Sequence, residues 1–313
     1  MRQREKKWQH AMRGLFTRHE RLAPEALEAA LMRGLKAESK QCDISGHRIH
    51  WVEAGDGTPL VLIHGWTCSG FFWKPIIPRL KDAFRVLAPD LPGHGLSSKE
   101  EASYLPEAQA QRLLEWLTAI GVDRFVLVGH SMGGEIAARM ALAAPERVEG
   151  LVLASAIGLK MVWESLPWYG RLSLTPAARK IANLFFTEKA MVRTNRLFMT
   201  GPGRPAYPEC ARDVVLANTN TPDDVKALTH TTRDGLFQDF LDHRLADLNL
   251  PVLCIWGEVD KVVPLEVGER YARLLPHARL AKVPGTGHML PWEEPDFMAS
   301  EIRGFSKMEK QIA

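Results

Sequence analysis

The sequence predicts an α/β protein: a mostly parallel, doubly wound sheet carrying a helical cap inserted after its sixth strand and a helical extension at the N-terminus. Three observations carry that prediction. Short apolar runs alternate with helix-length amphipathic segments from about residue 40 to 154, the pattern of a parallel sheet with helices on both faces. The alternation stops over residues 158–241 and then resumes with two more apolar runs. The first forty residues follow neither pattern and carry ten Lys/Arg against five Glu.

In chain order, Trp8, Met12, Leu15 and Phe16, then Leu27, Ala30, Leu31, Gly34 and Leu35, recur at helical spacing, with Pro24 placed to open the second helix. These helices are expected to pack on the main domain; the sharper alternative is peripheral contact with an anionic membrane. Lys40 to Ile44 and Arg48 to Glu53 read as strands of a hairpin turning at Ser45-Gly46. Leu60–Ile63, Phe84–Ala88, Phe125–Val128 and Leu151–Leu153 read as buried parallel strands, with a helix over 105–120 and another over 135–144. Residues 158–241 hold Trp163, Trp168, Phe185, Phe186, Phe198, Phe237 and Phe240, broken by six prolines. Such an insertion leaves the sheet at a strand's carboxyl end, after Ala154, and returns near the next strand; ligand crevices of open α/β sheets lie at the carboxyl ends, so it is placed to roof the crevice. Val252–Trp256 and Arg279–Val283 complete the sheet. The expected division is an extension over 1–39, a core over 40–157 and 242–313, and a cap over 158–241.

Composition narrows the function classes. A net charge of +3 on 313 residues gives no case for nucleic-acid binding. Cys42, Cys68, Cys210 and Cys254 lie far apart with no C-x-x-C pair, which points to neither zinc nor a disulfide framework. No apolar run reaches the ~18 residues of a membrane span, and the basic start has no apolar segment behind it. The expectation is a cytoplasmic protein, membrane-associated only if the N-terminal helices attach it.

The chemistry concentrates at the carboxyl ends of the strands. Gly129-His130-Ser131-Met132-Gly133 sits between a strand and a helix, where a sharp turn projects the serine hydroxyl above the sheet. That hydroxyl needs a base, because it is barely ionised at neutral pH. Of eleven histidines, His288 follows the last strand and reaches the same edge, whereas His94 has a structural role in its own turn. The imidazole needs an acid to fix its tautomer. Asp260, in Trp256-Gly257-Glu258-Val259-Asp260, is the candidate and Glu258 its competitor. The oxyanion would be met by the backbone N–H groups of Met132 and of Trp66, in His64-Gly65-Trp66. His64, Gly65, His130, Trp163 and Met289 are candidate pocket residues. No metal and no cofactor is implied.

With His64-Gly65-Trp66, Asp90-Leu91-Pro92-Gly93-His94-Gly95, the serine motif, Gly257-Glu258-Val259-Asp260 and Gly287-His288 in this order, residues 40–307 resemble the α/β-hydrolase superfamily. Within it the chain is most similar to the capped serine esterases and lipases. Haloalkane dehalogenases and epoxide hydrolases of this fold carry an aspartate nucleophile where this chain has Ser131. Hydrolases of ring-cleavage dienones carry asparagine before the serine and tryptophan after the histidine, where this chain has His130 and Met289.

The resemblance implies a hydrolase of carboxylic esters, acting on a small-molecule ester through an acyl-enzyme on Ser131, and the aromatic and aliphatic residues of the cap suggest an apolar acyl or aryl group. Carbon–carbon hydrolysis or cofactor-free perhydrolysis on the same triad is a second class. A ligand receptor or scaffold with slow turnover is a third.

Overall fold

The structure is a computed structural model that describes residues 21–99, 103–166, 168–175, 178 and 187–309. Strands β1 (Glu38–Ile44), β2 (His47–Ala54), β3 (Thr58–Ile63), β4 (Phe84–Pro89), β5 (Phe125–His130), β6 (Val148–Ala154), β7 (Val252–Gly257) and β8 (Ala278–Val283) form one sheet. Their spatial order is β1-β2-β4-β3-β5-β6-β7-β8. Pairing is antiparallel from β1 through β2 to β4 and parallel across the rest. The β1–β2 hairpin turns at Ser45 and Gly46, whose φ values of 52° and 84° give the mirror-image turn that matches strand twist.

Both faces of β3 to β7 are buried, which is why they read as continuous apolar runs. Val61, Ile63, Leu127, Leu151 and Trp256 point into one core, while Leu60, Leu62, Val126, Val152 and Ile255 point into the other. The first core is closed by α3 (Pro106–Ala119), α4 (Met132–Ala143) and α10 (Leu265–Leu274). The second is closed by α1 (Pro24–Met32), α2 (Ile77–Leu80) and α12 (Pro295–Glu309). Helix α4 starts at Met132, three residues before the expected Glu135, because the turn at Ser131 leads straight into the helix.

Pro24 opens α1, whose Leu27 and Leu31 are buried in the second core. This helix therefore spends its apolar face on the main domain. The earlier expected helix, around Trp8 to Phe16, lies outside the described residues. Asn220 holds both backbone groups of Leu22, donating to its carbonyl at 2.9 Å and accepting from its N–H at 2.8 Å.

Between β6 and β7 the chain runs through α5 (Lys160–Ser165), α6 (Trp168–Ser173), α7 (Glu188–Thr194), α8 (Pro208–Thr219) and α9 (Pro222–Gly235). Two of the prolines that break the sequence pattern are helix starts: Pro208 and Pro222 occupy first turns, where a missing N–H costs nothing. Thr221 and Asp224 complete a reciprocal cap on α9.

The two stems of the insertion meet where the Leu241 N–H donates to the Gly158 carbonyl at 2.8 Å. Beneath them, Arg139 on α4 donates to Glu135 at 2.8 Å and to the Asp239 carbonyl at 3.1 Å, and pairs with Glu107. This knot fastens the serine-bearing helix to the returning stem. Burial pushes the Glu135 carboxyl up to about 7, against the pull of the Arg139 guanidinium.

A carboxyl whose pKa is raised by folding binds its proton more tightly when folded, so the stability it contributes falls as pH rises from its unfolded value to its folded one. Glu135→Gln is therefore expected to gain stability relative to wild type between about pH 4.5 and about pH 7, with the difference level above pH 8. Thermal unfolding of both proteins across that range checks this. A difference that does not change with pH contradicts it.

Candidate active site

Ser131 stands at the junction of β5 and α4 with φ 54° and ψ −119°. A non-glycine residue in such a region costs about 1–3 kcal/mol, so its surroundings must hold it there. They do so by crowding. A Cβ added to Gly129 would lie 2.3 Å from the Gly133 carbonyl, and one on Gly133 would lie 2.3 Å from the Ile63 carbonyl. The Ser131 N–H donates to Ala154 at 3.0 Å, and its carbonyl accepts from Gly134 at 2.9 Å and Ile157 at 3.1 Å. The hydroxyl-bearing residue is half-buried at the sheet's carboxyl edge.

His288 and Asp260 come together as the sequence predicts. The His288 Nδ1 lies 2.8 Å from Asp260 Oδ2, and both residues are buried. A carboxylate only accepts, so Nδ1 carries the proton and Nε2 is left as the basic nitrogen. The other oxygen, Asp260 Oδ1, accepts from the N–H groups of Val262 at 2.8 Å and Val263 at 2.9 Å. This fixes the carboxylate's rotation as well as its position. The competitor Glu258 is exposed.

The serine and histidine loops touch through His130. Its Nε2 donates to the His288 carbonyl at 2.8 Å, and the two rings are 4.7 Å apart. His130 is thus a strut beneath the site, packed against Phe72 and Trp73. Burial and the neighbouring His288 hold it well below the ordinary histidine range, so it is neutral.

The third loop is His64-Gly65-Trp66. A Cβ on Gly65 would lie 3.1 Å from the Ser131 Cβ, so this backbone passes directly beside the serine. Met132 begins α4, and a helix's first N–H groups have no intrahelical partner. Met132 and the loop around Trp66 thus flank Ser131 on two sides.

Several contacts from the insertion hold that loop. Thr67 takes a φ of 62°, and its carbonyl accepts from Asn218 Nδ2 at 2.6 Å. The Trp66 indole N–H donates to Thr232 at 3.1 Å, and buried Lys74 meets Asp213 at 2.6 Å.

Other expected pocket residues are placed differently. His64 has both ring nitrogens engaged: Nε2 accepts from the Leu91 N–H at 3.0 Å, so Nδ1 donates to the Gly65 carbonyl at 2.8 Å. It is fully buried, which lowers its pKa to about 4, and it brackets two loops instead of lining a pocket. Trp163, on α5, packs at the base of the insertion, its ring tilted 5.5 Å from that of Phe237 and lying under Arg171. Met289 is buried, and its N–H bonds to Met199 at 3.2 Å and Glu293 at 3.0 Å.

Sequence reasoning missed Asn218, Glu293 and Asp90. Asp90 is fully buried and accepts from Gly70, Leu96 and His50 at 2.6, 2.7 and 2.8 Å. An aspartate opening a Pro-Gly turn is the one signal that pointed to it. Among the described residues no group of three or more His, Cys, Asp or Glu could hold a metal ion. Among them also, no helix is long and apolar enough to cross a membrane.

The site brings together the strained turn of Ser131, a histidine bonded to a buried aspartate, and a backbone loop passing beside the serine. Fold and site together define an α/β-hydrolase. The chain belongs to that family, whose model, described as the alpha/beta hydrolase fold, matches residues 58–295.

An uncharacterised hydrolase of Bacillus subtilis, YugF, is 31% identical over 271 residues, covering 82% of this chain and 93% of that protein. A 2-hydroxy-6-oxo-6-phenylhexa-2,4-dienoate hydrolase of Burkholderia cepacia is 27% identical over 270 residues, covering 81% of this chain and 89% of that one. A bacterial membrane phospholipase A, described as a virulence factor, superposes with a TM-score of 0.73 at 26% identity, covering 92% of each chain.

The backbone strain at Ser131 is directly testable. Glycine takes positive φ without penalty and alanine does not. Ser131→Gly is expected to exceed Ser131→Ala in unfolding free energy by about 1 kcal/mol or more. Urea unfolding of the two variants measures it, and an alanine variant as stable as the glycine one contradicts the strain.

Proposed function

We propose that the protein is a serine hydrolase of carboxylic esters with an apolar acyl or aryl group. The observation that carries this reading is the buried His288–Asp260 pair, bonded at 2.8 Å and joined through His130 to the strained turn of Ser131.

In this reading His288 Nε2 takes the Ser131 proton as the hydroxyl oxygen attacks the ester carbonyl carbon. The carbonyl oxygen becomes an oxyanion between the N–H groups of Met132 and Trp66. When the tetrahedral intermediate collapses, the carbon–alkoxide bond breaks and His288 returns the proton to the leaving alcohol. Water, deprotonated by the same nitrogen, then attacks the acyl-enzyme, releasing the acid and restoring Ser131. Asp260 keeps Nδ1 protonated throughout and balances the imidazolium.

The insertion serves as a cap over 158–241 on the core of 40–157 and 242–313, placed to roof the crevice at the strands' carboxyl ends. Peripheral membrane contact through the extension of 1–39 would fall to the residues before Arg21, since Leu27 and Leu31 are already buried. The resemblance to a membrane phospholipase A favours an ester with a lipid-like acyl chain over a short one. The dienoate hydrolase among the relatives supports carbon–carbon cleavage as a second reading on the same triad.

The test is turnover of p-nitrophenyl esters from acetate to dodecanoate, with a vinylogous diketone alongside. Medium or long chains are expected to outrun acetate. Ser131→Ala is expected to lose on the order of 10⁶ in kcat. A steep preference for acetate contradicts the apolar acyl pocket, and diketone turnover well above every ester moves carbon–carbon hydrolysis to first place.

A further inference from the structure

Glu293, five residues after His288, is a buried carboxyl that the acyl-transfer steps do not use. It lies on a single helical turn, α11 (Leu290–Glu293), and is 5% exposed. Its two oxygens accept from three backbone N–H groups. Oε1 takes Met289 at 3.0 Å and Gly287 at 3.1 Å; Oε2 takes Gly201 at 2.7 Å and shares Gly287 at 3.0 Å. Two of these donors flank His288 in sequence, and the third belongs to the insertion.

The same two segments interlock a second time. The Met199 carbonyl accepts from the N–H of His288 at 2.7 Å and of Met289 at 3.2 Å. Their backbones are as close as glycine permits: a Cβ on Gly287 would lie 2.7 Å from the Met199 carbonyl oxygen, and one on Gly201 would lie 2.0 Å from that of Gly285. His288 is therefore housed between β8's loop and residues 199–201 of the insertion, and one carboxyl ties the two together.

We infer that Glu293 is a positioning residue that clamps the His288 loop to residues 199–201, so that the insertion sets the geometry of the base as well as covering the crevice. This rests on the reading of His288 as the base. Its physical basis is the donor count. Three N–H groups converge on one carboxyl, and removing the acceptor leaves the buried N–H of Gly287, beside the imidazole, and that of Gly201, in the insertion, unsatisfied, with Met289 keeping its 3.2 Å bond to Met199. Burial raises the Glu293 carboxyl above the ordinary glutamate range, while the three N–H groups pull the other way.

Glu293→Gln keeps the side chain's shape but points an amide N–H₂ at backbone donors. It serves as the test, read by the second-order rate of labelling with a small fluorophosphonate from pH 5 to 9. Labelling reports the Ser131–His288 pair whatever the natural substrate is. Glu293→Gln is expected to lower the plateau rate about 10- to 100-fold, in the range of supporting-contact losses, and to move the pH midpoint of the base. KM for the best ester is expected to change less than twofold.

An unchanged rate and midpoint overturn the clamp and leave Glu293 a structural residue. If the glutamine variant does not fold, Glu293→Asp retains the charge but falls short by one methylene. A lowered rate with a shifted midpoint there supports the clamp, and full wild-type behaviour overturns it. Wild-type protein that is folded yet takes up no probe denies the base itself, and so ends both readings.

Discussion

The turn at Ser131 is the constraint on which the rest of the site depends. A parallel strand must pass into a helix without a loop, and it does so through one residue held at φ 54°. That is possible only because residues on either side have no side chain to collide with the Ile63 and Gly133 carbonyls. The strain is repaid by the fully buried sheet beneath and by bonds from Ala154, Gly134 and Ile157. With the turn fixed, the serine stands at the carboxyl edge, at the very start of the helix. The neighbouring strands then need only bring their own loops to the same edge.

Those loops are not held by the sheet alone. The loop beside the serine is fixed by Asn218, Thr232 and Asp213, all from the insertion. The histidine loop is fixed by Met199 and, through Glu293, by Gly201. Beneath the insertion's stems, Arg139 ties the serine-bearing helix to Asp239. The insertion is thus part of the framework that shapes the site, which gives a physical reason why its sequence carries so many buried polar residues.

Much of this was legible in the sequence. Apolar runs bounded by turn residues located β3 to β7, because strands buried on both faces leave a continuous signature, while the turn at Ser45-Gly46 marked the β1–β2 hairpin. Topology singled out His288 and Asp260, since only loops at one sheet edge can converge. What stayed hidden depends on long-range pairing. Nothing local in Asn218 shows that it will meet Thr67, 151 residues away in sequence. Glu293 reads as an ordinary surface glutamate of a short helix until the insertion's backbone is laid against it. His64 and His130 look like pocket residues by position, and only their bonding partners show that they brace the loops. Helix α4 begins at Met132, ahead of the periodic apolar pattern, because the turn is a single residue, Ser131, which no local sequence feature marks.

The central claim is that Ser131 is the reacting nucleophile, and intact-mass analysis after treatment with a fluorophosphonate tests it most directly. The account predicts one phosphonate adduct on the wild-type chain, mapped to the peptide containing Ser131 and absent from folded Ser131→Ala. An adduct that persists in Ser131→Ala, or maps to another residue, would contradict it.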